Sequence, residues 1–100
     1  MALVPLKLVT IIAEAFLEER LIRDIKKLGA RGYTITSARG EGSRGVRASE
    51  WEGNNIRLET IVSPVVAEKI LSHLAEVYFA NYAVVAFTEN VEVVRGDKYT

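Results

Sequence analysis

A segment rich in glycine and arginine runs from Gly29 to Arg47 and contains the residue types that bind anions. Five of its nineteen residues are glycine and four are arginine. Glycine lets backbone N–H groups approach a ligand closely, and arginine carries a permanent charge on a planar group that matches phosphate or carboxylate oxygens. The segment therefore predicts an anion held at a turn, on which Ser43, Arg44 and Arg47 converge.

The run from Gly40 to Gly45 matches the pattern G-x-G-x-x-G, but its context excludes a dinucleotide site. That motif must open a helix, and the residues after it, Val-Arg-Ala-Ser-Glu-Trp-Glu-Gly-Asn-Asn, show no helical stripe. A P-loop is excluded as well, because Val46 and Arg47 stand where lysine and serine or threonine are required. An ordinary surface loop stays open as the alternative.

Few other residues offer chemistry. His73 is the single histidine, so a histidine metal cluster is excluded, and we interpret it as a structural or interfacial residue. Arg57 and Glu59 lie two apart on one predicted strand face, which is typical of a surface ion pair. Trp51, the only tryptophan, is either an anchor for a partner or a residue that packs against the body of the protein. No nucleophile with a plausible base is visible, which argues against an enzyme.

The composition is that of an ordinary globular protein, and we expect residues 1–100 to form a single domain. Hydrophobic residues are 49% and charged residues 26% of the 100-residue chain. Thirteen basic residues balance thirteen acidic ones, which argues against broad nucleic-acid binding. The chain has no cysteine, and its apolar run from Leu3 to Ala13 is too short to span a bilayer. We therefore expect a soluble, cytoplasmic protein that does not insert into a membrane.

Hydrophobic periodicity predicts two helices and five strands. Leu17, Leu21 and Ile25 follow the helical period, and Gly29 is placed to end that helix in the left-handed conformation. Ser63 and Pro64 are a typical N-cap and first residue for the second helix. The predicted helices cover residues 14–28 and 64–79, and the predicted strands cover residues 6–13, 32–38, 56–62, 83–88 and 91–94.

This order predicts an α+β fold of the ferredoxin-like type, β-α-β-β-α-β, with a short extra C-terminal strand. An antiparallel sheet with both helices on one face leaves the other face uncovered. The first and fourth strands are apolar on both sides, so the uncovered face would expose a hydrophobic patch. The simplest cover is another copy of the chain, which predicts a homo-oligomer.

The runs Gly-Ala-Arg-Gly-Tyr-Thr, Gly-Glu-Gly-Ser-Arg-Gly-Val-Arg, Asn-Ile-Arg-Leu-Glu-Thr-Ile-Val and Tyr-Phe-Ala-Asn-Tyr-Ala resemble those of the PII-like signalling proteins. The nearest branch is the one associated with bicarbonate transporters and carboxysomes. The resemblance extends from the first strand to about residue 94. It implies a homotrimer that binds an adenine nucleotide (AMP, ADP, ATP or cyclic AMP) between subunits, with bicarbonate as a further ligand and no metal. It also implies a long T-loop, at about residues 41–55, that engages a membrane transporter or another regulated protein.

Carried over by position, the resemblance assigns the nucleotide-binding residues. The residues assigned to the phosphates and their loop are Gly40, Gly42, Ser43, Arg44 and Arg47. Thr34 is assigned to the adenine and Glu59 to the cleft wall. Arg95 is assigned to a segment that reaches a neighbour's nucleotide. In the T-loop, Glu50, Trp51 and Glu52 are assigned to the partner.

Two positions depart from the family pattern. Glu41 stands where this branch usually has lysine, and its charge is expected to weaken polyphosphates more than monophosphates or cyclic nucleotides. Val84 replaces a glycine before the fourth strand and is expected to crowd the base. The alternative is therefore an oligomeric scaffolding protein that binds no nucleotide, and a nucleotide hydrolase is a third hypothesis.

Overall fold

The computed structural model describes residues 2–40 and 54–100. The elements, in chain order, are β1 (Val4–Glu14), α1 (Glu18–Leu28), β2 (Thr34–Ala38), β3 (Asn55–Val62), α2 (Pro64–Val77) and β4 (Val84–Val93). Short 3₁₀ turns follow β1 and β4, at Ala15–Leu17 and Gly96–Lys98. The predicted T-loop lies outside the described residues, except for Asn54 and the first residue of β3.

The four strands form one antiparallel sheet in the order β2-β3-β1-β4. β1 is central and pairs along its length with β3 on one side and with β4 on the other. The two helices belong to the same buried cluster as one face of this sheet. This arrangement is the predicted α+β, ferredoxin-like fold.

The core lies between the helices and the sheet. The side chains of Leu21 and Ile25 on α1 are buried, as are Ile70 and Leu74 on α2. They meet alternate residues of the strands, since successive side chains of a strand point to opposite faces. The strand residues on this side are Val9, Ile11, Ala13, Ile56, Leu58 and Val62.

The predicted stop of α1 at Gly29 and the predicted cap of α2 at Ser63 are confirmed, whereas α1 begins at Glu18 and not at residue 14, and α2 ends at Val77 and not at residue 79. Gly29 ends α1 with φ of 123°, and the N–H of Ala30 donates to the carbonyl of Ile25 at 2.9 Å. The hydroxyl of Ser63 accepts from the N–H of Val66 at 3.2 Å and so caps α2. Each cap satisfies backbone groups that a helix end leaves unpaired.

The separate fifth strand predicted at residues 91–94 is wrong, because Val91–Val93 continue β4 without a break. β1 begins at Val4, two residues earlier than predicted, and its first residues therefore pair with Val91–Val93 of β4. Val93 pairs with Val4, and Val91 pairs with Leu6. Glu89 and Asn90, which lie between the two predicted strands, are in register with β1.

Candidate functional site

The face of the sheet opposite the helices, here called the open face, has a polar half and an apolar half in the two rows that contain Thr10 and Ile12. Cross-strand pairing arranges its side chains in rows that run across all four strands. One row, from β2 to β4, is Thr34, Glu59, Thr10 and Phe87. The next row is Thr36, Arg57, Ile12 and Val85. In these rows β2 and β3 contribute only polar side chains, whereas β1 and β4 contribute three apolar ones and Thr10.

Thr34 and Glu59, two of the predicted nucleotide-binding residues, are direct cross-strand partners in the polar half. Side chains in such pairs lie about 5 Å apart at Cβ, close enough to contact one small ligand together. Arg57 donates from Nε and Nη2 to Oε2 of Glu59, both at 3.4 Å. The two side chains keep 41% and 33% of their surface exposed, so this ion pair is the surface pair expected from the sequence and stays open to a ligand.

Thr10 lies beside Glu59 in the same row and is fully buried. Its hydroxyl has no hydrogen-bond partner within the part of the chain that the structure describes. Leaving such a group unpaired costs about 1–3 kcal/mol, and buried hydroxyls in folded proteins usually find a partner. The open face thus contains a hydroxyl that is left without a partner and that its neighbours shield from solvent.

Gly40 follows β2 and begins the predicted phosphate-binding loop. It is exposed, and a Cβ placed there would meet no atom of the described residues within 4 Å. Its predicted companions lie outside the described residues. They are Gly42, Ser43, Arg44 and Arg47 of the phosphate site, with Glu41 beside them, and Glu50, Trp51 and Glu52 of the partner site.

Arg95, the remaining predicted residue, lies at the other end of the sheet. It follows β4 two residues after Val93, whose partner is Val4. Six residues of β1 separate Val4 from Thr10, in the row of Thr34. At about 3.3 Å per residue, this places Arg95 roughly 20 Å along the strands from that row. One copy of the chain therefore does not bring Arg95 together with Thr34 and Glu59.

A polar network between the helices was not anticipated from the sequence. Asp24 on α1 accepts hydrogen bonds through Oδ2 from the hydroxyl of Tyr78 at 2.5 Å and from Nε2 of His73 at 2.9 Å. The guanidinium of Arg20 lies 4.7 Å from the centre of the Tyr78 ring and donates to the hydroxyl of Tyr82 at 3.4 Å. His73 thus has the structural role expected of it. In the sequence, Asp24 stands beside the buried stripe of α1, and this position is the feature that could have identified it as the partner of His73.

This network changes the acidity of its members. Burial raises the pKa of the buried Tyr78 well above its usual range, and the hydrogen bond to Asp24 raises it further. Burial alone would also raise the pKa of Asp24, but the hydrogen bonds from Tyr78 and His73 outweigh it and lower that pKa below its ordinary value. The network therefore favours an ionised Asp24 and a neutral Tyr78 in the folded protein.

Residues 2–40 and 54–100 contain neither a cluster of metal ligands nor a membrane-spanning helix. No three histidine, cysteine, aspartate or glutamate side chains within these residues are grouped so that they could hold a metal ion. No helix in these two ranges is long and apolar enough to cross a bilayer.

Comparison with solved structures finds several similar chains. A protein from Thermus thermophilus, assigned to the PII-like signalling proteins, is 67% identical over 100% of both chains, with a TM-score of 0.88. CPII from Thiomonas intermedia K12, in complex with ADP and bicarbonate, is 26% identical, with a TM-score of 0.86. That match covers 99% of this chain and 98% of CPII. A CPII structure with ADP, AMP and bicarbonate is 25% identical over 98% and 96% of the two chains, with a TM-score of 0.85.

The family model described as nitrogen regulatory protein P-II matches residues 6–98, almost the whole length that forms the sheet and both helices. Because the match spans the entire fold, the chain belongs to the P-II family of nitrogen regulatory proteins.

Proposed function

We propose that this chain is a signalling protein that assembles as a trimer and binds an adenine nucleotide at each subunit interface. One observation carries the proposal. Thr34 and Glu59 are paired on the polar half of the open face, while Arg95 lies roughly 20 Å away along the strands, taking about 3.3 Å per residue. A site that uses all three residues must therefore combine two copies of the chain.

The apolar half of the open face supports assembly. Val85 is 54% exposed and Phe87 39% exposed, next to Ile12 and the buried, unpaired Thr10 of β1. Burial of apolar surface stabilises by about 25 cal/mol per Å², so covering this half with other subunits is favourable. Assembly through β1 and β4 leaves the polar half of β2 and β3 at the margin of the interface. This margin is where we place the nucleotide.

The phosphates are assigned to the loop that begins at Gly40. Gly42 and Ser43 supply backbone and hydroxyl donors, and Arg44 and Arg47 supply charge and bidentate hydrogen bonds. CPII, which has the same fold, is bound to ADP, AMP and bicarbonate in a solved structure. We therefore assign ADP or AMP as the nucleotide, with bicarbonate as a second ligand. The negative charge of Glu41 favours ligands with fewer phosphates.

The target is assigned to the T-loop at residues 41–55. We propose that the nucleotide shifts the population of T-loop conformations, since Arg44 and Arg47 bind the phosphates in only one of them. In that state Glu50, Trp51 and Glu52 contact a membrane transporter of inorganic carbon from the cytoplasmic side. The protein then acts as a sensor, and its output is binding rather than catalysis.

Calorimetry tests the phosphate site. Titration with AMP, ADP, ATP and cyclic AMP is expected to show binding, and Arg44→Ala or Arg47→Ala is expected to weaken ADP by about tenfold or more, as for a lost charge-assisted contact. Arg23→Ala is the matched control, because Arg23 is an exposed arginine of α1 with no proposed role. Unchanged affinity in both variants would remove the phosphate role of these residues.

A scaffolding protein without a nucleotide is the second candidate. Val84 packs against the hydrophobic core, so its side chain lies on the helix side of the sheet and does not crowd a base on the open face. Glu41 remains the residue that favours the scaffold, because its charge repels phosphate. If none of the four nucleotides raises the melting temperature, with or without bicarbonate, the scaffold replaces the sensor. Release of ADP or AMP from ATP would instead identify a hydrolase.

A further inference from the structure

The C-terminal residues Arg95–Tyr99, here called the clip, hold a backbone conformation that arginine rarely adopts. Arg95 has φ of 62° and ψ of 50°, in the left-handed region, and among the described residues it is the only one other than glycine with positive φ. An L-residue is disfavoured there because its Cβ approaches its own carbonyl oxygen. Such a conformation persists where the surrounding contacts impose it, and residues of this kind cluster at functional sites.

The contacts that impose it are in the clip itself and at the start of β1. Gly96 is buried against Val4, and a Cβ on Gly96 would lie 2.6 Å from both Cβ and Cγ2 of Val4. The carbonyls of Arg95 and Gly96 accept hydrogen bonds from the N–H groups of Lys98 and Tyr99, both at 3.0 Å. Arg31 reaches the carbonyl of Asp97 from Nη1 at 3.5 Å. The backbone is thus held from Arg95 to Tyr99, while the side chain of Arg95 is exposed.

We propose that Gly96 and Val4 are positioning residues, which together hold Arg95 for contact with the nucleotide phosphates of a neighbouring copy. The inference rests on the proposed function and adds to it the residues that orient the side chain of Arg95. Only glycine permits the contact with Val4, because ordinary van der Waals separation is 3.4–4 Å. Any larger residue at position 96 moves the chain by roughly 1 Å, and an arginine that must form two parallel hydrogen bonds does not tolerate such a displacement.

The test separates phosphate contact from general stability by comparing ADP with adenosine, which has the base and ribose but no phosphate. Arg95→Asn keeps the left-handed backbone, which asparagine tolerates, and removes the guanidinium. We expect it to weaken ADP by about tenfold and to leave adenosine unchanged. Gly96→Ala, which keeps the arginine but displaces it, is expected to give the same pattern. Arg23→Ala is the control, because Arg23 is an exposed arginine of α1 with no proposed role, and both ligands should bind as in the wild type.

A compensating variant completes the design. Val4→Gly removes all three atoms that a Cβ on Gly96 would meet, so the Val4→Gly/Gly96→Ala double variant is expected to regain ADP affinity to within about threefold of the wild type. If Gly96→Ala does not fold, Val4→Ala takes its place. It loosens the clip, and a selective loss of ADP affinity is again expected.

Several results would overturn the inference. If Gly96→Ala, or Val4→Ala in its place, binds ADP like the wild type while Arg95→Asn binds ADP weakly, Arg95 does not need to be positioned by Gly96 and Val4. An equal loss of ADP and adenosine affinity would identify Gly96 as a structural residue only. Wild-type ADP affinity in Arg95→Asn would end the inference and leave the proposed function with Arg44 and Arg47. If the wild type binds neither ADP nor adenosine, the proposed function and the inference fall together.

Discussion

Replacing Tyr78 by phenylalanine removes one oxygen atom from the contact between the two helices. Tyr78 is fully buried, and its hydroxyl donates to Oδ2 of Asp24 at 2.5 Å. A hydrogen bond to a charged group contributes about 1.5–3 kcal/mol to stability. After the change Asp24 keeps its bond from His73, and 21% of its side chain is exposed to water, so part of the loss is compensated. We therefore expect a loss of about 1.5–2 kcal/mol in the free energy of unfolding at pH 7.

The assay is thermal unfolding at a fixed protein concentration, since assembly makes the melting temperature depend on concentration. For a domain of this size 1 kcal/mol corresponds to about 4–8 °C, so Tm should fall by about 6–16 °C. Tyr33→Phe is the control, because Tyr33 is 41% exposed and its change should shift Tm by less than about 3 °C. In a double-mutant cycle, Tyr78→Phe and Asp24→Asn should show a coupling energy of about 1–2 kcal/mol.

The loss in the free energy of unfolding caused by Tyr78→Phe should depend on pH. The folded protein lowers the pKa of Asp24 below its ordinary value, so the network's contribution is complete above that ordinary value and is lost as pH falls through the lower folded pKa. The difference between the wild type and Tyr78→Phe should therefore narrow from about pH 5 to about pH 2. A loss below about 0.5 kcal/mol at pH 7, or the same loss at both ends of this range, would refute the role given to the network.

Three other changes test single features of the fold. Phe87→Lys places a charge in the apolar half of the open face, which should convert the proposed trimer to a monomer in light scattering; a trimer mass that the change leaves unaltered would contradict assembly through this half. Ser63→Ala removes the N-cap of α2 and should cost about 1 kcal/mol in chemical denaturation, whereas no change would mean that the cap is dispensable. Gly29→Ala forces a side chain into positive φ with its Cβ 2.9 Å from Val66, and an unfolding free energy lowered by less than about 1 kcal/mol would contradict this strain.

Local features of the fold could be predicted from the sequence because their causes lie within a few residues. The stripe of Leu21 and Ile25 fixed the buried side of α1, and the ends at Gly29 and Ser63 depend on conformations and hydrogen bonds of neighbouring residues. The length of β4 could not be predicted in this way. The end of β4 pairs with the part of β1 that precedes Leu6. The length of β4 therefore depends on where β1 begins, which is a property of a segment distant in the sequence.

The candidate site shows the same limit. The resemblance named Thr34 and Glu59 separately, but only the register of β2 and β3 makes them neighbours. The Asp24, His73 and Tyr78 network was missed for a related reason. Asp24 lies 49 and 54 residues from His73 and Tyr78, and each of the three is compatible with an exposed position when considered alone.

The division of the open face depends on two features, the alternation of side chains within each strand and the order of the strands. Only the first can be read from the sequence. Alternation within each strand shows which residues share a face, as Arg57 and Glu59 do on β3. The strand order then decides which of these sets are adjacent, placing β2 beside β3 and β1 beside β4. In the rows of Thr10 and Ile12 this order keeps the polar and the apolar side chains apart. Subunits can therefore cover the apolar half of these rows while Glu59 stays accessible at its margin, which is the condition that a ligand site between subunits requires.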